Sequence, residues 1–103
     1  AMEWALTGRL IEAEEAYHAS LVTHLTNPGA ALDKALEIAT RIVANGPMAV
    51  RATKKIIVQS QDWTLEESFH RQREISEPIR ESDDAKEGAQ AFTQKRLPVW
   101  QGK

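Results

Sequence analysis

The sequence predicts a mainly α-helical chain with at most one short strand, and three observations carry that expectation. Apolar residues recur at spacings of three and four over residues 32–45, two further stretches open with capping residues at Thr64 and Ser82, and only residues 21–25 read as a strand. Residues 1–30 hold short elements, and residues 31–103 hold four longer helices.

In chain order, residues 3–7 read as the end of a helix stopped at Gly8, residues 12–18 as a short helix, and residues 21–25 as the brief strand. Beyond them Leu32, Ala35, Leu36, Ala39, Ile42 and Val43 share one face, while Lys34, Glu37 and Arg41 take the other. Glu37 and Arg41 stand four apart in the order that favours a helical ion pair. Asn45 and Gly46 predict a left-handed stop, and Pro47 suits the first position of a new helix. That helix carries Val50, Ile56 and Ile57 beside Ala49, Ala52 and Thr53, small residues that let a second helix come close. Thr64, with Glu67 three residues on, is the reciprocal pairing of a helix start. Leu65, Phe69, Ile75 and Ile79 then form a thin apolar stripe through a highly charged segment that ends near Pro78, where the helix is expected to end or kink. Ser82 with Asp83 and Asp84 opens the last helix, expected to reach about Arg96 with Ala85, Gly88, Ala89 and Phe92 facing inward. The following Leu97, Pro98, Val99 and Trp100 are too apolar for an idle tail, so Trp100 is expected to anchor it on another element.

The chain has 103 residues and 11.5 kDa, one domain at most, and its hydrophobic content of 42% is that of a folding sequence. Thirteen Lys and Arg against fifteen Asp and Glu leave a net charge of -2, without the basic field of a nucleic-acid binder. Arg51, Lys54 and Lys55 cluster on one helix and read as a solvated face. The absence of cysteine excludes disulfides, thiolate metal sites and a cysteine nucleophile. Apolar runs are far too short to cross a bilayer, so the expectation is a soluble, cytoplasmic protein with neither membrane nor nucleic acid as partner. His18, His24 and His70 are scattered, and no metal is assigned. The pairs Glu14 with Glu15, Glu66 with Glu67, and Asp83 with Asp84 sit near helix starts, where negative charge is stabilising without a catalytic role.

A lone strand has no partner for its amide and carbonyl groups. Residues 1–6 also begin inside an apolar helical pattern with no cap before it. Together these predict a carboxy-terminal fragment of something longer.

Four stretches give the chain a family likeness: Leu6-Thr7-Gly8-Arg9; Ala13-Glu14-Glu15-Ala16; residues 49–54; and Ser82 through Glu87-Gly88, Ala91-Phe92 and Lys95-Arg96 to Pro98-Val99-Trp100. In their order and spacing they resemble the carboxy-terminal part of the crotonase superfamily, the enoyl-CoA hydratases and isomerases, along the whole chain. Family members often have Ser or Asp where Glu12 stands and Gly where Ser20 stands, departures that bear on local caps and turns. The resemblance implies that residues 1–30 end the connection to a missing core and residues 31–103 form a helical oligomerisation domain around a threefold axis. The parent is then a homotrimer or a dimer of trimers, an enoyl-CoA hydratase-like lyase acting on acyl-CoA thioesters with no permanently bound cofactor. The missing core would hold the two backbone amides that bind the thioester oxygen and the glutamates that move protons, so no catalytic residue is assigned here and the isolated chain is expected to be inactive.

The resemblance further implies that Phe92 and Lys95 line part of a neighbour's coenzyme A pocket, Phe92 with an apolar surface and Lys95 with a point charge for a phosphate. Three apart, they are expected to share a helix face. The bland alternatives are an ordinary core Phe92 and a solvated Lys95. From another class comes the alternative of a self-contained helical protein-interaction module, against which the uncapped opening and unpaired strand both count.

Overall fold

The computed structural model describes residues 2–103. They form two compact units, the first ending at Glu37 and the second running Ile38–Lys103. Six α-helices follow one another among the described residues: α1 (Met2–Thr7), α2 (Ala13–His18), α3 (Ala31–Val43), α4 (Pro47–Gln59), α5 (Leu65–Arg80) and α6 (Asp83–Thr93), with a 3-10 turn at Ser60–Asp62. The mainly α expectation holds, and none of the described residues is in a strand.

Residues 21–25 are therefore not the brief strand that their composition predicted. Ser20 turns the chain with a φ of 58°, and the amides of Leu21 and Val22 both donate back to the Ala16 carbonyl, at 2.8 and 3.4 Å. With no neighbouring strand among the described residues, these amides are satisfied by closing α2 instead. In the same unit, Gly8 ends α1 at a φ of 62°, its amide donating to the Trp4 carbonyl at 3.1 Å. The Arg9 guanidinium then stands 5.3 Å over the Trp4 ring and pairs with Glu15, and Ala16 is buried.

α3 has the predicted stripe but buries none of it: Leu32, Leu36, Ile42 and Val43 are all exposed. Its end differs from the expected left-handed stop. Neither Asn45 nor Gly46 has a positive φ. The Asn45 side-chain amide instead donates to the Arg41 and Ile42 carbonyls at 2.8 and 3.4 Å, satisfying the last turn without a backbone reversal.

In the second unit α4 opens at Pro47 as expected and packs on α5, burying Ala52. α5 starts with the predicted capping box: the Glu67 amide donates to Thr64 Oγ1 at 3.3 Å, and the Thr64 amide donates to Glu67 Oε2 at 3.4 Å. It runs through Pro78 to Arg80 rather than ending at the proline. The missing proline N–H costs one hydrogen bond in the last turn, where few remain to be lost. α6 is capped by Ser82 Oγ, which accepts from the Ala85 amide at 3.1 Å.

α6 stops at Thr93, short of the expected Arg96. Lys95 adopts a φ of 53°, the Lys95 amide donates to the Phe92 carbonyl at 3.2 Å, and the Arg96 amide donates to the Ala91 carbonyl at 3.0 Å. This pair of bonds is the Schellman closure of a helix, usually built on glycine. A lysine in that conformation costs about 1–2 kcal/mol of local strain. The inner face also differs from expectation. Asp84 and Ala91 are buried, Ala85 and Gly88 are half-buried, and Ala89 and Phe92 face outward.

The tail decides which face of α6 turns inward. Trp100 anchors it as expected: the indole Nε1 donates to the Ala44 carbonyl at 3.0 Å, and the ring lies where side chains at Gly46 and Gly88 would project. The Gln101 and Gly102 amides donate to the two oxygens of Asp84 at 2.7 and 2.9 Å, and the Asp84 amide donates to the Lys103 carbonyl at 3.0 Å.

Candidate functional site

The two residues singled out as ligands stand at the end of α6. Phe92 is 87% exposed and so is not core in this chain. Lys95 is exposed, and among the described residues its ammonium has no carboxylate partner. They do not share a helix face, because Lys95 lies beyond the last helical residue in the left-handed position. Local backbone geometry nonetheless keeps them together, since the Lys95 amide bonds directly to the Phe92 carbonyl.

Around this turn the electrostatics are organised by Glu87 and Arg96. Arg96 Nη1 and Nη2 donate to Glu87 Oε1 and Oε2 at 2.6 and 2.8 Å, a two-pronged charge-assisted pair. Glu87 Oε1 also accepts from the Val99 amide at 2.8 Å. The Arg96 guanidinium, and then the Val99 amide, hold the Glu87 carboxyl down at about 2. Arg96 reaches further, with Nε on Gln94 Oε1 at 2.7 Å and Nη1 on the Leu97 carbonyl at 3.2 Å. Its side chain thus grips both sides of the Lys95 turn.

Periodicity could not have found this pair. Residues nine apart on a continuous α-helix point in nearly opposite directions, at 3.6 residues per turn. Glu87 and Arg96 meet only because the helix ends at Thr93 and the backbone reverses at Lys95. Asp84 was missed in a different way. Its place in the first turn reads as dipole compensation, whereas its carboxylate holds the tail amides.

The other candidates separate as their chemistry dictates. Arg51, Lys54 and Lys55 are all exposed, in keeping with a solvated face. Glu67 belongs to its cap, Asp83 pairs with Lys86 at 3.2 Å and Glu15 with Arg9. His24 touches Thr23 and His70 approaches Glu74 at 3.7 Å; among the described residues no three His, Asp or Glu converge as metal ligands. No described helix is long and apolar enough to cross a membrane.

The second unit also holds an open groove of about 340 Å³ whose lining includes Ala49, Ala52, Ile56, Ile79, Gly88 and Trp100. Its walls are mainly apolar, with Arg80, Asp84 and the hydroxyls of Thr53, Ser76 and Ser82 also bordering it, and suit a largely apolar occupant. The α6 end, in contrast, offers one ammonium and one aromatic face to an anionic, partly apolar ligand.

The whole of residues 1–103 matches the family model described as enoyl-CoA hydratase/isomerase. Among curated proteins the chain is 43% identical over 103 residues to an enoyl-CoA hydratase of Mycobacterium tuberculosis, covering 100% of this chain and 39% of that protein. It is 36% identical over 102 residues to the (E)-benzylidenesuccinyl-CoA hydratase of Thauera aromatica, covering 99% and 40%. Among solved structures it superposes on an enoyl-CoA hydratase from Mycobacterium marinum with a TM-score of 0.95 at 52% identity, and on a probable enoyl-CoA hydratase/isomerase from Mycobacterium abscessus with a TM-score of 0.95 at 56% identity. Each superposition covers 99% of this chain and 40% of the other.

Proposed function

Because this chain belongs to the enoyl-CoA hydratase/isomerase family and spans about 40% of the length of those relatives, we propose that it is the carboxy-terminal helical part of a longer acyl-CoA-processing enzyme. In this reading the parent is an enoyl-CoA hydratase-like lyase, cytoplasmic and homo-oligomeric as a trimer or dimer of trimers, using an acyl-CoA thioester as substrate with no permanent cofactor. Residues 1–30 end the connection to the core and residues 31–103 supply oligomer contacts. Phe92 and Lys95 supply one edge of a neighbouring subunit's coenzyme pocket.

The observation that carries the reading is the pairing of an outward-facing Phe92 with an exposed Lys95 on one backbone turn. An aromatic ring left in water at a helix end gains nothing from the chain's own core, and it gains a great deal from a ligand or neighbour that covers it. The division of labour follows from the chemistry. Hydration of an enoyl thioester develops enolate charge on the thioester oxygen, which preorganised amide donors stabilise, and a carboxylate activates the water. Neither belongs to this turn, whose residues bind and orient.

Crotonyl-CoA hydration tests the proposal. Turnover is expected from the full-length protein and none from these 103 residues alone. In the full-length protein Lys95→Met is expected to raise KM about tenfold with kcat little changed, the pattern of lost uniform binding. Hydration by the 103-residue piece, or an unchanged KM in the variant, overturns the assignment. The exposed apolar faces of α5 and the tail favour, as the second reading, a self-contained helical interaction module. A full-length protein that binds no coenzyme A would select it.

A further inference from the structure

We propose that Glu87 and Arg96 are positioning residues for Lys95, fixing the left-handed turn that aims its ammonium at the coenzyme. This rests on the reading of Lys95 as a coenzyme ligand.

Three observations converge on it. Lys95 occupies a backbone conformation that glycine adopts without cost and lysine does not, so something nearby holds it there. Arg96, the next residue, is fixed at both ends: its amide closes the helix on Ala91, and its guanidinium makes a two-pronged pair with Glu87. The same guanidinium bonds Gln94 Oε1 on one side of Lys95 and the Leu97 carbonyl on the other, so residues 94–97 are tied to one anchor. Glu87 in turn is held by the Val99 amide from the docked tail.

A mobile four-carbon side chain on a frayed helix end would spread its charge over a wide volume. Fixing the Cα and Cβ direction removes part of the ordering cost that a ligand would otherwise meet. The Arg96 fork matters for this as well as the charge. A lysine at position 96 keeps the sign but cannot bridge Glu87, Gln94 and Leu97 together.

Calorimetric binding of free coenzyme A to the full-length protein, in a double-mutant cycle, provides the test. Lys95→Met alone is expected to weaken binding about tenfold, the scale of one charge-assisted contact. Glu87→Gln and Arg96→Lys are each expected to weaken it at least threefold when Lys95 is present, and less than twofold in the Lys95→Met background. Arg96→Lys keeps the net charge and provides a folded variant if Glu87→Gln is unstable, with circular dichroism confirming helix content. If Lys95→Met leaves binding unchanged, the ligand reading itself fails. If Lys95→Met weakens binding but the other two cost the same in both backgrounds, or cost nothing, the positioning role alone is overturned.

Discussion

The Trp100 indole reaches back across 56 residues to donate to the Ala44 carbonyl, and its ring edge fills the space that a side chain at position 88 would need. A Cβ built on Gly88 stands 3.1 Å from Trp100 Cη2 and 3.4 Å from Cζ3. Gly88→Ala would gain up to about 1 kcal/mol of helix propensity in an ordinary helix. Here the ring cannot yield freely, because its adjoining Cε3–Cζ3 side lies 3.6 Å from where a Cβ on Gly46 would stand and its nitrogen is bonded. Overpacking then dominates, at about 1–3 kcal/mol. The expected net outcome is a loss of about 1 kcal/mol, read as a lower urea midpoint with an unchanged slope. A midpoint that rises would show that the tail gives way.

Asp84 is 4% exposed and takes one tail amide on each oxygen. Asp84→Asn turns one acceptor into a donor facing the Gly102 or Gln101 amide, so one part-buried N–H loses its partner, the buried side chain gains an unpaired donor, and the other bond loses its charge. The expected cost is about 2–3 kcal/mol. Amide exchange at Gln101 and Gly102 should accelerate in the variant well before that of α4, and uniform acceleration would contradict a local latch.

Glu87 makes the same junction sensitive to acid. Its carboxyl is held from an ordinary value of 4.5 down to about 2, first by Arg96 and then by the Val99 amide. A depressed folded-state value means that the unfolded chain binds the proton first. The stabilisation is therefore complete above about 4.5 and is lost as pH falls through about 2. Melting temperatures of the wild type and Glu87→Gln are expected to differ most near neutrality and to converge between pH 4.5 and 2. A constant difference over that range would sink the assignment.

How much of this was legible in the sequence depends on range. Local chemistry read well: the Thr64 box, the Ser82 cap, Pro47 at a helix start and Gly8 at a helix end are all decided within a few residues. What failed was decided at longer range or by competition. Residues 21–25 have strand composition but no described strand to pair with, and the amides of Leu21 and Val22 turn back to Ala16. Ala85 and Gly88 were placed inward correctly, but Ala89 and Phe92 were not, because the tail, arriving from the other side, selected Ala91 beside Gly88. The Phe92 and Lys95 assignment came from family motifs, and the Glu87 and Arg96 pair beside them was visible only after the helix was seen to stop.

The second unit places Leu65, Phe69, Phe92, Leu97 and Val99 in solvent while burying little beyond Ala52, Asp84 and Ala91. Apolar area covered on association is worth about 25 cal/mol per Å², so these side chains gain more from another surface than from water. The isolated chain is expected to self-associate at micromolar concentration, seen as a concentration-dependent sedimentation coefficient. Phe69 is 75% exposed on α5, beside the charged Arg73 and Glu77 pair. Phe69→Glu should shift that dependence to higher concentration without loss of helix content, because the residue supports nothing inside the unit. A compact monomer at all concentrations, in both wild type and variant, would show that these side chains do not need to be covered.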